Sequence, residues 1–140
     1  MMNPAAILIV QDDFLAAERL RLLLVKAGYT VIGVAGRTKG AKELADRHHP
    51  DLAIVDMMLE VDVDGVHTAT ELARRYGVKI LITTGFPDSV IQAEGVPDLA
   101  CAIVRKPYTD DEILAAVTRC LARGEQPDPP AGPPDQPLPG

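Results

Sequence analysis

The sequence predicts an α/β fold, a doubly wound parallel sheet of five strands with helices on both faces. Three observations carry this. Short apolar runs alternate five times with segments of helical periodicity, the order that builds a parallel sheet with crossover helices. Runs such as Ile7-Leu8-Ile9-Val10 and Leu52-Ala53-Ile54-Val55 are apolar throughout and rich in β-branched residues, as strands buried on both faces must be. A chain of 140 residues with 47% hydrophobic content is long enough for one domain with a real core.

The elements follow in order. Ala5 to Val10 is the first strand and ends at Gln11-Asp12-Asp13. Phe14 to Ala27 is a helix, with Ala16, Leu20, Leu23, Leu24 and Ala27 at spacings of three and four and Gly28 as its stop. Tyr29 to Ala35 is the second strand. Thr38 is expected to cap a helix from Lys39 to His48, which Pro50 cannot extend. His48-His49 reads as an exposed helix end, because neighbours on a helix point in different directions and make a poor metal pair. Leu52 to Val55 is the third strand, closed by Asp56 and followed by a polar loop from Glu60 to Asp64. A helix runs from Gly65 to Tyr76 with Val66, Ala69, Leu72 and Ala73 as its apolar stripe. Lys79 to Thr83 is the fourth strand. A short helix capped by Asp88 or Ser89 stops at Gly95, and Pro97 keeps the next residues irregular. Ala100 to Val104 is the fifth strand, ending at Arg105-Lys106-Pro107. Thr109 and Glu112 form a capping box for a last helix from Asp110 to Arg123, which buries Ile113, Leu114, Val117 and Leu121.

Residues 1–123 thus form the folded domain, and 124–140 a tail holding seven of the twelve prolines. Its composition predicts a disordered, polyproline-like segment, either solubilising or a docking stretch for an aromatic groove. The net charge of −6 and the lack of a Lys/Arg cluster exclude a nucleic-acid surface. No signal peptide or membrane-spanning run is expected, so the chain reads as soluble and cytoplasmic. Cys101 and Cys120, each in an apolar stretch, are expected as separate buried thiols rather than a disulfide or metal site.

The polar residues at the strand ends carry the chemistry. Strand one delivers Asp12 and Asp13, strand three Asp56, strand four Thr84 and strand five Lys106. In a parallel sheet these ends share one rim, where open α/β sheets bind ligands. Taken singly, each has an ordinary reading: an acidic pair caps a helix, a Lys-Pro makes a turn, a Thr caps. Together they assemble three carboxylates, a hydroxyl and an ammonium. Carboxylates so close repel unless a cation neutralises them, and Mg²⁺ does so with oxygen ligands. A metal, a cation, a hydroxyl donor and a carboxylate nucleophile are the parts of a phosphoryl-transfer site.

On the motifs Ile7-Leu8-Ile9-Val10-Gln11-Asp12-Asp13, Ile54-Val55-Asp56, Ile82-Thr83-Thr84-Gly85 and Val104-Arg105-Lys106-Pro107-Tyr108, the chain resembles the receiver domain of two-component response regulators. The resemblance implies a flavodoxin-like sheet of strand order 2-1-3-4-5. It implies Asp56 as phosphoacceptor. Asp12 and Asp13 would be the acidic pair for Mg²⁺, with Asp13 the direct ligand and Asp12 acting through water. The Met58 carbonyl completes the metal site, Thr84 is the switch hydroxyl and Lys106 the phosphate-contacting lysine. Two positions depart from the common pattern: Ile103 stands where an aromatic switch residue is usual, and Glu60 where a proline is. Thr83-Thr84-Gly85-Phe86 is similar to the "FAT GUY" subgroup.

The implied protein is a stand-alone receiver, a monomer or weak homodimer. It is phosphorylated by a sensor histidine kinase or phosphotransfer protein and acts on a downstream protein. It is not an enzyme beyond catalysing its own phosphorylation and dephosphorylation. An alternative is a pseudo-receiver that binds partners without phosphorylation. A haloacid-dehalogenase-like phosphatase is remote, since that family wants an Asp where Met58 stands. A dinucleotide site is disfavoured because the turn after strand one is acidic and lacks glycine.

Overall fold

Residues 4–59 and 64–124 are described in a computed structural model of the chain. The expected loop from Glu60 to Asp64 lies outside the described residues except for Asp64, as does the tail beyond Gly124. The elements are β1 (Ala6–Val10), α1 (Phe14–Lys26), β2 (Thr30–Ala35), α2 (Thr38–His48), β3 (Leu52–Asp56) and α3 (Asp64–Tyr76). They continue as β4 (Lys79–Thr84), α4 (Asp88–Ala93), α5 (Val96–Leu99), β5 (Ala102–Arg105) and α6 (Asp110–Gly124). All strand pairs are parallel, in the order β2-β1-β3-β4-β5.

The uninterrupted apolar runs are explained by two cores, one on each face of the sheet. Successive side chains of a strand point to opposite faces. Leu8, Val10, Ala53, Val55, Ile80 and Ile82 enter the core under α2, α3 and α4. Ile7, Ile9, Leu52, Ile54 and Leu81 enter the other, against α1 and α6. Each fully buried Ile or Leu contributes about 1.5–3 kcal/mol relative to exposure, so a polar residue on either parity of β1 or β3 would be costly.

The helix ends differ in instructive ways from the sequence reading. Thr38 is the first residue of α2 rather than its cap; Arg37 holds the N-cap position. The Thr38 hydroxyl instead meets that of Thr68 at 2.5 Å, tying α2 to α3. Pro97 sits inside the first turn of α5, where a missing N–H costs no hydrogen bond. The capping box is as expected: Thr109 N–H donates to Glu112 Oε1 (2.9 Å) and Glu112 N–H to Thr109 Oγ1 (3.1 Å). Helix α1 buries Ala17 where Ala16 was expected, beside Leu20 and Leu24.

Cys101 and Cys120 correct the expectation of separate thiols. They form a disulfide with Cα atoms 5.5 Å apart. Cys101 lies just before β5 and Cys120 in the last turns of α6, which packs on that strand, so tertiary contact joins residues whose spacing shows no pairing.

Candidate functional site

Asp56 is the last residue of β3, paired in register with Thr83 of β4, and only 5% exposed. A carboxylate so buried needs partners. Its Oδ2 accepts from Lys106 Nζ at 2.6 Å and from Gln11 Nε2 at 2.8 Å. Its Oδ1 accepts from the Met58 N–H at 3.1 Å. The carboxylate is thus held from three chain segments. Lys106 is brought there by the end of β5, where its own N–H donates to the Thr84 carbonyl (2.8 Å).

Asp56 lies in a cleft of about 960 Å³ between the strand ends, α1 and the loop after β5. Gln11, Asp12, Met58, Lys106 and Tyr108 also line it. On the far side of Asp56 the backbone is tight. The Gly65 N–H donates to the Met57 carbonyl (3.1 Å), and a Cβ on Gly65 would collide with the Asp56 and Met57 carbonyl oxygens.

Of the residues proposed from sequence, Asp12, Asp13, Asp56, Met58 and Lys106 come together at this cleft. Asp13 lines the same cleft and also has a structural task. It is the N-cap of α1, and its Oδ1 accepts from the N–H groups of Leu15 (3.0 Å) and Ala16 (3.2 Å). A carboxylate at a helix N-terminus satisfies orphan donors and complements the helix dipole. The cap uses Oδ1 alone. Directly after β1 it is the Gln11 side chain that touches Asp56. Gln11 is given no role of its own by the sequence reading; the signal for it is its place directly after the last strand residue.

Thr84 is not at the carboxylate. Its hydroxyl is buried, donates to Met57 Sδ (3.3 Å) and accepts from the Phe86 N–H (3.0 Å). Arg105 braces the same loop. It pairs with Asp88, and its Nη1 donates to the Phe86 carbonyl (3.2 Å). Ile103 is half-buried and packs on the core that also takes Phe86 and Val90.

Burial lifts the Tyr108 phenol above its ordinary value of 10.0, and the charge of Asp56 pushes the same way. In a tyrosinate absorbance titration, the difference between wild type and Tyr108→Phe should place this phenol's midpoint above 10.0. Asp56→Asn should move the midpoint down. An unmoved midpoint would mean that the two groups do not sense each other.

A doubly wound parallel sheet of order β2-β1-β3-β4-β5 with a lysine-paired Asp at its strand ends has the architecture of a receiver domain. Residues 7–118 match the response regulator receiver domain, and the chain belongs to that family. PdtaR, a transcriptional regulatory protein of Mycobacterium tuberculosis, is 30% identical over 120 residues, covering 86% of this chain and 58% of that protein. The regulator PhyR of Methylorubrum extorquens is 28% identical over 116 residues, 82% of this chain and 43% of its own. The chain thus spans about half the length of these relatives. The signal receiver domain of a modulated diguanylate cyclase from Desulfovibrio desulfuricans G20 superposes with a TM-score of 0.77 at 31% identity, covering 86% of this chain and 95% of that one. No helix among the described residues is long and apolar enough to cross a membrane.

Proposed function

We propose that this chain is a cytoplasmic phosphoacceptor receiver in which Asp56 accepts a phosphoryl group from a histidine kinase or phosphotransfer protein. The observation that carries this is the 2.6 Å contact between Lys106 Nζ and the buried Asp56 carboxylate at the floor of an acidic cleft. A carboxylate oxygen of Asp56 forms the new O–P bond as the donor's bond to phosphorus breaks and its electron pair leaves with the donor. Lys106, already at the carboxylate, then meets a phosphoryl oxygen.

The residues present fit Mg²⁺. Asp12, Asp13 and Asp56 line one cleft with Met58, whose main-chain carbonyl would add an oxygen donor, and Mg²⁺ is commonly held by one or two carboxylates. When bound, the ion would offset charge on the transferring group. In a reducing cytoplasm Cys101 and Cys120 would stand as a thiol pair.

Signalling would start at Thr84. For its hydroxyl to donate to a phosphoryl oxygen it must leave Met57 Sδ, and the Phe86 N–H that it accepts from would follow. Phe86 is braced by Arg105, so the movement would reach α4 and β5. The face of α4, β5 and α6 would then engage a downstream protein.

The test is acetyl phosphate or beryllofluoride with Mg²⁺, followed by intact mass or backbone amide shifts. Wild type should gain one adduct and Asp56→Asn none. An unlabelled wild type, or an Asp56→Asn protein labelled as well as wild type, would overturn the reading and favour an interaction module that works without phosphorylation.

A further inference from the structure

The group that meets Asp56 from the end of β1 is an amide, that of Gln11. The orientation of Gln11 is set by its neighbours. Its Oε1 accepts from the Asp13 N–H at 2.9 Å, which leaves Nε2 to donate to Asp56 Oδ2 at 2.8 Å. With oxygen and nitrogen exchanged, an N–H would face an N–H and an oxygen would face a carboxylate. The network therefore admits one orientation.

Two consequences follow. First, Asp56 accepts from Lys106, Gln11 and the Met58 N–H, so it is satisfied without a cation. Second, the cleft holds one fewer negative charge than it would with a carboxylate at this position. Cation affinity at oxygen sites rises with the number of charged ligands.

We propose that Gln11 is a positioning residue. It holds the Asp56 carboxylate for attack and, being uncharged, sets the site to low affinity for divalent cation: Lys106 neutralises Asp56, Gln11 hydrogen-bonds it, and a cation joins weakly. The proposal rests on the reading of Asp56 as phosphoacceptor.

The test uses the full chain and MgCl₂ alone, followed by backbone amide shifts in the absence of any phosphoryl donor. Gln11→Glu keeps the shape, removes the donor and adds a charge; its half-saturating Mg²⁺ concentration should fall about ten-fold. Gln11→Met keeps the shape without charge or hydrogen bond, and should stay within about three-fold of wild type. If Gln11→Glu does not fold, Gln11→Asp supplies the charge on a shorter stem with the same expected direction. In a second measurement, acetyl phosphate labelling at saturating Mg²⁺, Gln11→Met should be slowed about ten-fold through loss of a hydrogen bond to a charged group. A change in rate at saturation, with half-saturation little altered, separates positioning from metal binding. Equal Mg²⁺ affinity in wild type and the charged variant, no Mg²⁺ binding by either, or wild-type labelling by Gln11→Met would overturn the proposal. Failure of the phosphoacceptor reading is distinguishable, because it shows as an unlabelled wild type whatever the Mg²⁺ titration gives.

Discussion

Gly65→Ala should destabilise the domain by about 3 kcal/mol, at the upper end of overpacking costs in a closed core. The new methyl has no room: its position coincides with the main-chain carbonyl of Asp56 and crowds that of Met57. These are backbone atoms in the sheet and at its end, and Met57 N–H is itself bonded to the Thr83 carbonyl (2.9 Å). Relief must come from moving α3 away from β3 or from tilting the peptide that carries Asp56. The expected result is a lower denaturation midpoint with an unchanged denaturant slope, together with slower labelling of Asp56 at saturating donor. The paired loss matters, because a cost in stability alone would mean that α3 yields and the phosphoacceptor does not. A midpoint within 1 kcal/mol of wild type, by a scale on which surface changes cost about half that, would refute the packing argument.

Lys106→Met should cost about 2 kcal/mol, within the range for a hydrogen bond to a charged group. The substitution keeps the apolar stem and removes the ammonium. Asp56 is then left with Gln11 and the Met58 N–H, in a site where it is 5% exposed. Lys106 is itself 38% exposed, which holds the cost below that of a fully buried pair. The cost should vanish when the charge that needs Lys106 is removed. In Asp56→Asn, Lys106→Met should be close to neutral, a coupling of about 1.5 kcal/mol or more across the cycle. Additive effects would show that the 2.6 Å contact carries little energy. On function, Lys106→Met should leave Mg²⁺ binding largely in place, since the lysine is no ligand. It should weaken the amide response at Phe86 to Arg105 on addition of beryllofluoride. A full response there would remove Lys106 from the switch.

The fold was legible because each strand announces itself twice, by an apolar run on both parities and by a polar break at its end. β1 and β3 are the clearest cases, and their flanking helices close the argument for parallel pairing. Asp56, Lys106 and the Thr109–Glu112 capping box were legible for a related reason. Each depends on a boundary between elements or on spacing within one helix, and both are local.

What was not legible turns on which of several adjacent polar residues faces inward. After Val10 come Gln11, Asp12 and Asp13, and residue type alone favours the two carboxylates as the pair at the site. The start of α1 adds a demand that residue type does not show: its free N–H groups take Asp13 Oδ1 as a cap, while Gln11, the residue next to the strand, bonds Asp56. Thr38 departs from its expected cap for a different reason, a tertiary contact with the Thr68 hydroxyl of α3.

The chain's own order of residues determined the five strands, their parallel arrangement and the one rim on which Asp12, Asp56 and Lys106 meet, because burial periodicity and chain direction are properties of consecutive residues. Tertiary structure alone decided that Gln11 bonds Asp56, that Thr84 rests on Met57, and that Cys101 meets Cys120. Those contacts join segments far apart in sequence, and their partners are chosen by the packing of helices on the sheet, which no local pattern encodes.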